Sequence, residues 1–276
     1  MDKKILILGK GFIGTRLQDG LGCEISDELI DSYNNVEAVF RKHKPQIIIN
    51  AIGYIGTNVD ACEKDLDKTL SSNTFIPILL AEAALRNNIK LVHISSGCIY
   101  HYDYSEDTPI NEDKLPDFFE LFYSRTKIYS DQALLALSGK HPVLIARIRV
   151  PLDNRPHPRN ILTKLINYKK VIDLPNSVTY IPDFIEALKH LINIDAYGIY
   201  NVVNKGGLRY PQLMQAYKKY FPGFEYETID FKKLNLVRTN LILSTEKLEK
   251  SGFRVRGIQE VLEECIQAYK GLRESK

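Results

Sequence analysis

The chain has 276 residues, 44% of them hydrophobic and 26% charged, with 37 Lys+Arg against 34 Asp+Glu. That length fits one large domain or two unequal ones, and that composition excludes disordered and fibrous classes. A net charge of +3 is too small and too scattered for nucleic-acid binding, and no apolar run approaches the roughly 18–20 residues of a membrane span.

The opening MDKKILILGKGFIG is basic and then apolar. It runs into a glycine-rich loop without a small-residue cleavage site, so it reads as a first strand, Lys4–Leu8, rather than a leader. A helical stretch follows near Thr15–Gly20, then a weak strand at Cys23–Ser26 and helical spacing over Val36–His43. Gln46–Asn50 (QIIIN) is a continuous apolar run, the mark of a parallel strand buried on both faces. Asn58–Asn87 reads as helix interrupted near Ser71–Asn73, Lys90–Ile94 as another buried strand and Phe118–Leu137 as helix. Val143–Val150 is a long strand stopped by Pro151. Strands alternating with helices over this length predict an α/β fold with a doubly wound parallel sheet of Rossmann type.

After Pro151 an irregular, proline-rich loop precedes a helix near Ile161–Tyr168, a second at Asp183–Ile194 and a strand at Gly198–Val203. A helix at Pro211–Phe221, strand-like Phe224–Ile229 and Leu241–Leu243, and a last helix near Ile258–Leu272 complete the chain. Residues 1–150 are therefore expected to form a dinucleotide-binding domain. Residues 151–276 are expected to be mainly a smaller α/β substrate-binding domain, some of whose elements return to the first sheet. Four well-separated cysteines (Cys23, Cys62, Cys98, Cys265), with no CxxC pair, fit reduced thiols and a cytoplasmic location. His43, His93, His101, His141 and His190 show no ligand spacing, and no metal is expected.

Gly9-Lys10-Gly11-Phe12-Ile13-Gly14 is GxGxxG directly after a strand and opening a helix, the context in which glycines let backbone approach a pyrophosphate seated on a helix N-terminus. No acidic residue closes the second strand cleanly to meet an adenosine ribose. Lys10 is placed to meet a 2′-phosphate instead, which favours NADPH, with NADH weaker. Tyr123 and Lys127 (YSRTK) stand at i, i+4 and share one helix face. That spacing acquires meaning beside Ser95-Ser96-Gly97-Cys98, because strand C-termini in such sheets face the ligand crevice. Tyr as proton donor, Lys to lower its pKa and hold the ribose, and Ser to bind a carbonyl oxygen suit ketone reduction.

GKGFIG, QIIINAIG, NTFIPILLAEAA, HISSGCIY and YSRTK follow the order and spacing of the extended short-chain dehydrogenase/reductases, which the whole chain resembles. Within them it looks most like reductases of 4-keto-6-deoxy nucleotide sugars. It is most similar to the UDP-4-keto-6-deoxyglucose 3,5-epimerase/4-reductases that make UDP-L-rhamnose, through SSGCIYHYD, residues 157–179 and VRTNLILSTEKL. The resemblance implies that Cys98, two residues after Ser96, removes a proton beside the keto group. It implies a returning acid near the helix after the irregular loop, for which Lys164 is the choice and His157 the alternative. It also brings Asp31 and Ser32 towards the adenine, and Ala51, Ile52 and Gly53 along the dinucleotide. Asn160 and Arg238 are expected at the substrate, with Arg155 and Arg159 as candidates for its diphosphate. The implied partners are a UDP-linked sugar, a separate 4,6-dehydratase that supplies it and a second copy of the chain in a homodimer. A pure 4-reductase and a non-catalytic dinucleotide-binding regulatory subunit are the rival readings.

Overall fold

A computed structural model describes residues 3–106, 108–137 and 139–274. In chain order the first elements are β1 (Ile5–Leu8), α1 (Phe12–Leu21), β2 (Glu24–Ser26), α2 (Tyr33–His43) and β3 (Ile47–Asn50). A 3-10 turn at Val59–Glu63, α3 (Leu66–Leu70), a π-turn at Ser71–Phe75 and α4 (Ile76–Arg86) follow. Next come β4 (Lys90–Ser96), α5 (Phe122–Leu135), β5 (Val143–Ile148), β6 (Pro151–Leu152), α6 (Ile161–Tyr168), β7 (Lys170–Ile172) and β8 (Thr179–Tyr180). The chain ends with α7 (Ile181–Asn193), β9 (Gly198–Asn201), α8 (Tyr210–Tyr220), β10 (Glu227–Ile229), α9 (Glu246–Lys250) and α10 (Ile258–Glu274). Among the described residues no helix is long and apolar enough to cross a membrane.

Two compact units share these elements: Met1–Ile99, Leu115–Arg147 and Leu188–Tyr200 form one, and Tyr100–Lys114, Ile148–Ala187 and Asn201–Lys276 the other. The first holds a six-stranded sheet in the order β2-β1-β3-β4-β5-β9. Strand β1 pairs in parallel with both β2 and β3, and β3 in parallel with β4. The order reverses at β1, so the C-terminal ends of β1 and β3 open side by side, the place where such sheets bind ligands. Leu6, Leu8, Ile48, Leu91 and Ile145 of the strands pack against Val36, Val39 and Phe40 of α2 and Leu80, Ala83 and Ala84 of α4. The apolar runs in the sequence are continuous because both sheet faces are covered.

The second unit has its own core, in which Leu162 and Leu165 of α6 meet Leu213, Met214 and Tyr217 of α8 and Val261, Leu262 and Ile266 of α10. Helix α6 runs over the span read from sequence because Asn160 caps its start, accepting from Leu162 N, and Lys169 ends it in the left-handed conformation. Several strand readings differ from the structure: β9 stops at Asn201 rather than Val203, and β10 covers only Glu227–Ile229 of Phe224–Ile229. Strand β5 ends at Ile148 rather than Val150, which adopts a φ of 26° as the chain turns into β6. Leu241–Leu243 is no strand; Leu243 makes only an isolated bridge to Ile110.

Candidate active site

The glycine loop has the close packing that its spacing requires. Gly9 has a φ of 104°, and a Cβ there would stand 2.7 Å from Ile52 N. A Cβ on Gly14 would overlap Gly9 O at 1.9 Å, so α1 lies directly against the loop. Gly11 is the contrast: it is the N-cap of α1, makes no side-chain cap hydrogen bond, and a Cβ there would meet nothing within 4 Å. The loop is closed towards the protein and open outwards, where the helix N-terminus presents its N–H groups to an anion. Phe12 is buried in the first turn of α1, Ile13 is half-buried and Lys10 is exposed. Ser32 caps α2 by accepting from Asn35 N, and Asp31 Oδ1 accepts from Asn35 Nδ2 at 2.6 Å, so both exposed residues help to start that helix.

The loop after β3 is fixed from several sides. Ala51 N donates to Leu8 O at 2.9 Å, and Ile52 N to Asn50 Oδ1 at 3.0 Å. Buried Asn73, in the π-turn, accepts from Tyr54 N and donates to Tyr54 O, each at 2.8 Å. The helix break expected at Ser71–Asn73 thus turns an amide onto backbone 19 residues earlier. A Cβ on Gly53 would lie 3.4 Å from Asn73 Oδ1 and 3.6 Å from Lys127 Nζ, which puts the lysine ammonium beside this loop.

The end of β4 and the start of α5 meet around Cys98. Ser96 is buried, and its Oγ accepts from Cys98 N at 3.2 Å. Ser124 Oγ donates to Cys98 O at 2.6 Å, tying the loop to the residue after Tyr123. Asp131 accepts from Ser95 Oγ at 2.6 Å and from Arg147 Nε at 2.9 Å, a buried network that pins α5 between β4 and β5. Tyr123 and Lys127 are both buried one turn apart on that helix. Cys98 is half-buried.

Burial pushes the Lys127 ammonium down to about 8, against the opposing pull of Asp131. Between that value and the ordinary 10.5 the unfolded chain binds more protons than the folded one, so stability rises with pH through this window. Lys127→Met is therefore expected to stabilise the cofactor-free protein at pH 7, by up to roughly 3 kcal/mol. Its advantage over the wild type should shrink towards pH 10. Urea unfolding at several pH values checks this; a constant difference between the two would refute it.

In the second unit, Asn160 corrects an expectation. Its amide is wholly committed: Oδ1 accepts from Leu162 N and Asp153 N, and Nδ2 donates to Asp153 O and Arg155 O. The residue is buried and its side-chain hydrogen-bonding capacity is spent on the helix cap and on the loop at Asp153 and Arg155, so it has none left for a substrate. Lys164 is half-buried, and burial followed by the nearby Arg159 charge lowers its pKa. The same two causes lower His157. Arg159 and Arg155 are exposed. Arg238 lies in a segment held by the buried guanidinium of Arg149, which donates to Thr239 Oγ1 and O, each at 2.9 Å, and to Asn176 Oδ1 at 2.7 Å. Sequence reading passed over Arg149, Asn50, Asn73 and Ser124. The one available signal was a polar residue closing an apolar run, as Asn50 does in QIIIN.

A parallel sheet reversing at β1, a glycine loop closed on β3 and the Ser–Tyr–Lys set define an α/β protein of the extended short-chain dehydrogenase/reductase type. The model of the RmlD substrate binding domain matches residues 3–183, and the chain belongs to that family. It is 30% identical, over 94% of its length, to a trifunctional UDP-glucose 4,6-dehydratase/UDP-4-keto-6-deoxy-D-glucose 3,5-epimerase/UDP-4-keto-L-rhamnose-reductase of Arabidopsis thaliana, and spans 41% of that relative. It is 28% identical to the bifunctional dTDP-4-dehydrorhamnose 3,5-epimerase/dTDP-4-dehydrorhamnose reductase of the same plant, over 93% of this chain and 90% of the relative. Among solved structures, the UDP-rhamnose synthase of Acanthamoeba polyphaga mimivirus superposes with a TM-score of 0.89 at 24% identity, covering 96% of this chain and 99% of the other. A dTDP-4-dehydrorhamnose reductase from Bacillus anthracis, crystallised with NADP, gives 0.82 at 23% identity, with 97% and 98% covered.

Proposed function

We propose that the chain is an NADPH-dependent enzyme of rhamnose synthesis that epimerises UDP-4-keto-6-deoxyglucose at carbons 3 and 5 and reduces carbon 4, giving UDP-L-rhamnose. The observation that carries this reading is the joining of Ser96, Cys98 and the Tyr123–Lys127 turn at the end of β4, with Lys127 Nζ beside the loop that packs on the glycine turn. The dinucleotide fits the chain's own residues, since the glycine loop is tight inwards and open at Gly11.

The carbon 4 ketone acidifies the protons on carbons 3 and 5, because the carbanion left behind delocalises as an enolate. Cys98 removes these protons, and Lys164, whose lowered pKa eases release, is the acid that returns them. Ser96 and Tyr123 donate hydrogen bonds to the oxygen as charge develops on it. When bound, NADPH supplies hydride to carbon 4. Tyr123 then protonates the oxygen, and Lys127 holds both ribose and Tyr123. The 4-keto-6-deoxy sugar has to come from a 4,6-dehydratase centre other than this one.

Incubation with unepimerised UDP-4-keto-6-deoxyglucose and NADPH should give UDP-L-rhamnose with solvent deuterium at carbons 3 and 5. Turnover only of previously epimerised substrate would reduce the assignment to a 4-reductase, and no turnover of either would leave a dinucleotide-binding regulator. The same incubation with dTDP- and GDP-linked sugars tests the base. Lys10→Ala should weaken NADPH binding by about 1–3 kcal/mol, as loss of a charge-assisted bond does, and leave NADH almost unchanged. Equal losses for both cofactors would mean a structural role for the side chain.

The proposal includes a two-fold dimer. Its interface is formed by the helices within Asn58–Asn87 and Phe118–Leu137, where Phe75, Ile78 and Leu85 on and just before α4, and Tyr129 on α5, are exposed apolar side chains. Light scattering at micromolar concentration should give twice the protomer mass; monomer alone would remove the dimer.

A further inference from the structure

Beneath the loop after β3 lies a pair of buried polar residues with no part in the mechanism above. Asn50 ends β3 and His93 sits in the middle of β4, directly opposite it in the strand register. Both are 0% exposed. Asn50 Nδ2 lies 3.1 Å from His93 Nδ1, and Asn50 Oδ1 accepts from Ile52 N at 3.0 Å. The second contact fixes which end of the amide is oxygen, because a backbone N–H can only donate. Nδ2 therefore donates to His93 Nδ1, which must carry a lone pair, and the single imidazole proton is on Nε2. That nitrogen has no hydrogen-bond partner among the described residues.

We propose that Asn50 and His93 are a positioning pair: a neutral imidazole in one tautomer holds the Asn50 amide, which in turn holds the Ile52 N–H and so sets the loop on which the Lys127 ammonium rests. The loop has little room to shift, since Ile52 N lies only 2.7 Å from where a Gly9 Cβ would be and Lys127 Nζ lies beside Gly53. A proton on Nδ1 would abolish the bond from Asn50 and turn two donors face to face. The surroundings oppose that proton: burial, and then the charge of Lys127, drive the His93 pKa well below its ordinary value. The charge that acts on the imidazole is that of Lys127, and it disfavours a second cation.

The consequence for cofactor affinity rests on the dinucleotide reading of the glycine loop; the consequence for the loop itself does not. Two measurements on the cofactor-free protein keep the two apart. Nitrogen-15 NMR of the imidazole should show a neutral ring protonated on Nε2 throughout pH 5–9. Hydrogen exchange at the Ile52 amide should be slow in the wild type, faster by about tenfold or more in His93→Leu, and close to wild type in His93→Gln, whose side-chain carbonyl can accept from Asn50; one net buried hydrogen bond corresponds to a factor of this size. NADPH dissociation constants should follow the same order, about tenfold weaker for leucine and nearly restored for glutamine.

An imidazole that titrates near its ordinary pKa, or carries its proton on Nδ1, would overturn the proposal, as would a leucine variant with unchanged Ile52 exchange. A glutamine variant as impaired as leucine would assign His93 to packing alone. If His93→Leu does not fold, the wild-type NMR and the glutamine variant still decide. Failure of the wild type to bind NADPH would remove the cofactor reading and leave the exchange result standing.

Discussion

Cys98→Ser is expected to abolish exchange of the carbon 3 and carbon 5 protons with deuterated water while leaving NADPH bound. Serine nearly preserves the volume, and Ser96, Tyr123 and Lys127 keep their places. A hydroxyl, however, has a pKa far above any working pH and cannot act as the base that a thiolate can. The structure gives this substitution a clean setting, because the hydrogen bonds of Cys98 with Ser96 and Ser124 are made by its backbone N–H and C=O, which serine keeps. The two half-reactions should then separate, and slow reduction of the unepimerised ketone would yield a D-configured 6-deoxy sugar. Full deuterium incorporation by the variant would place the base elsewhere and leave Cys98 as a packing residue at a strand end.

Tyr123→Phe should cut reduction by ~10²-fold or more, the lower end for removing a positioned acid. NADPH affinity should change little. The helix carrying residue 123 is held by the Asp131 network and by Ser124, neither of which uses the phenol, so the loss should fall on turnover and not on folding. Single-turnover reduction, measured beside the melting temperature, checks this. Near wild-type turnover would sink the assignment of Tyr123 as proton donor.

What could be read in the sequence follows the range of the interaction that decides it. Strands β1, β3, β4 and β5 are legible because burial on both faces leaves an uninterrupted apolar run, and α6 because its cap lies next to it in the chain. The interruption at Ser71–Asn73 is legible as small polar residues inside a helical pattern, but its purpose is not, since the partner of Asn73 is Tyr54. Strands β6 and β8, two residues each, are too short to carry a period. Leu241–Leu243 has strand composition, yet its polar backbone groups bond to Asn176, Ser177 and Ile110, which no local pattern announces. Within the site, spacing pointed to Tyr123 and Lys127. It could not supply the lowered pKa of Lys127, which is set by burial, or the committed amide of Asn160, which a sequence shows only as an asparagine before a helix.

The order in which the sheet is assembled carries a consequence for synthesis. Strand β9 lies beside β5 at the sheet edge, yet residues 149–187 of the other unit stand between them in the chain. As the polypeptide leaves the ribosome, five strands can pair while the outer backbone edge of β5, a strand whose Val143, Leu144, Ile145 and Ala146 are all buried in the finished fold, still has no neighbour. Edges of this kind recruit strands from other chains. A nascent chain stalled or cut before Gly198 should therefore aggregate or be held by chaperones. One extended through Asn201 can close that edge with its own backbone.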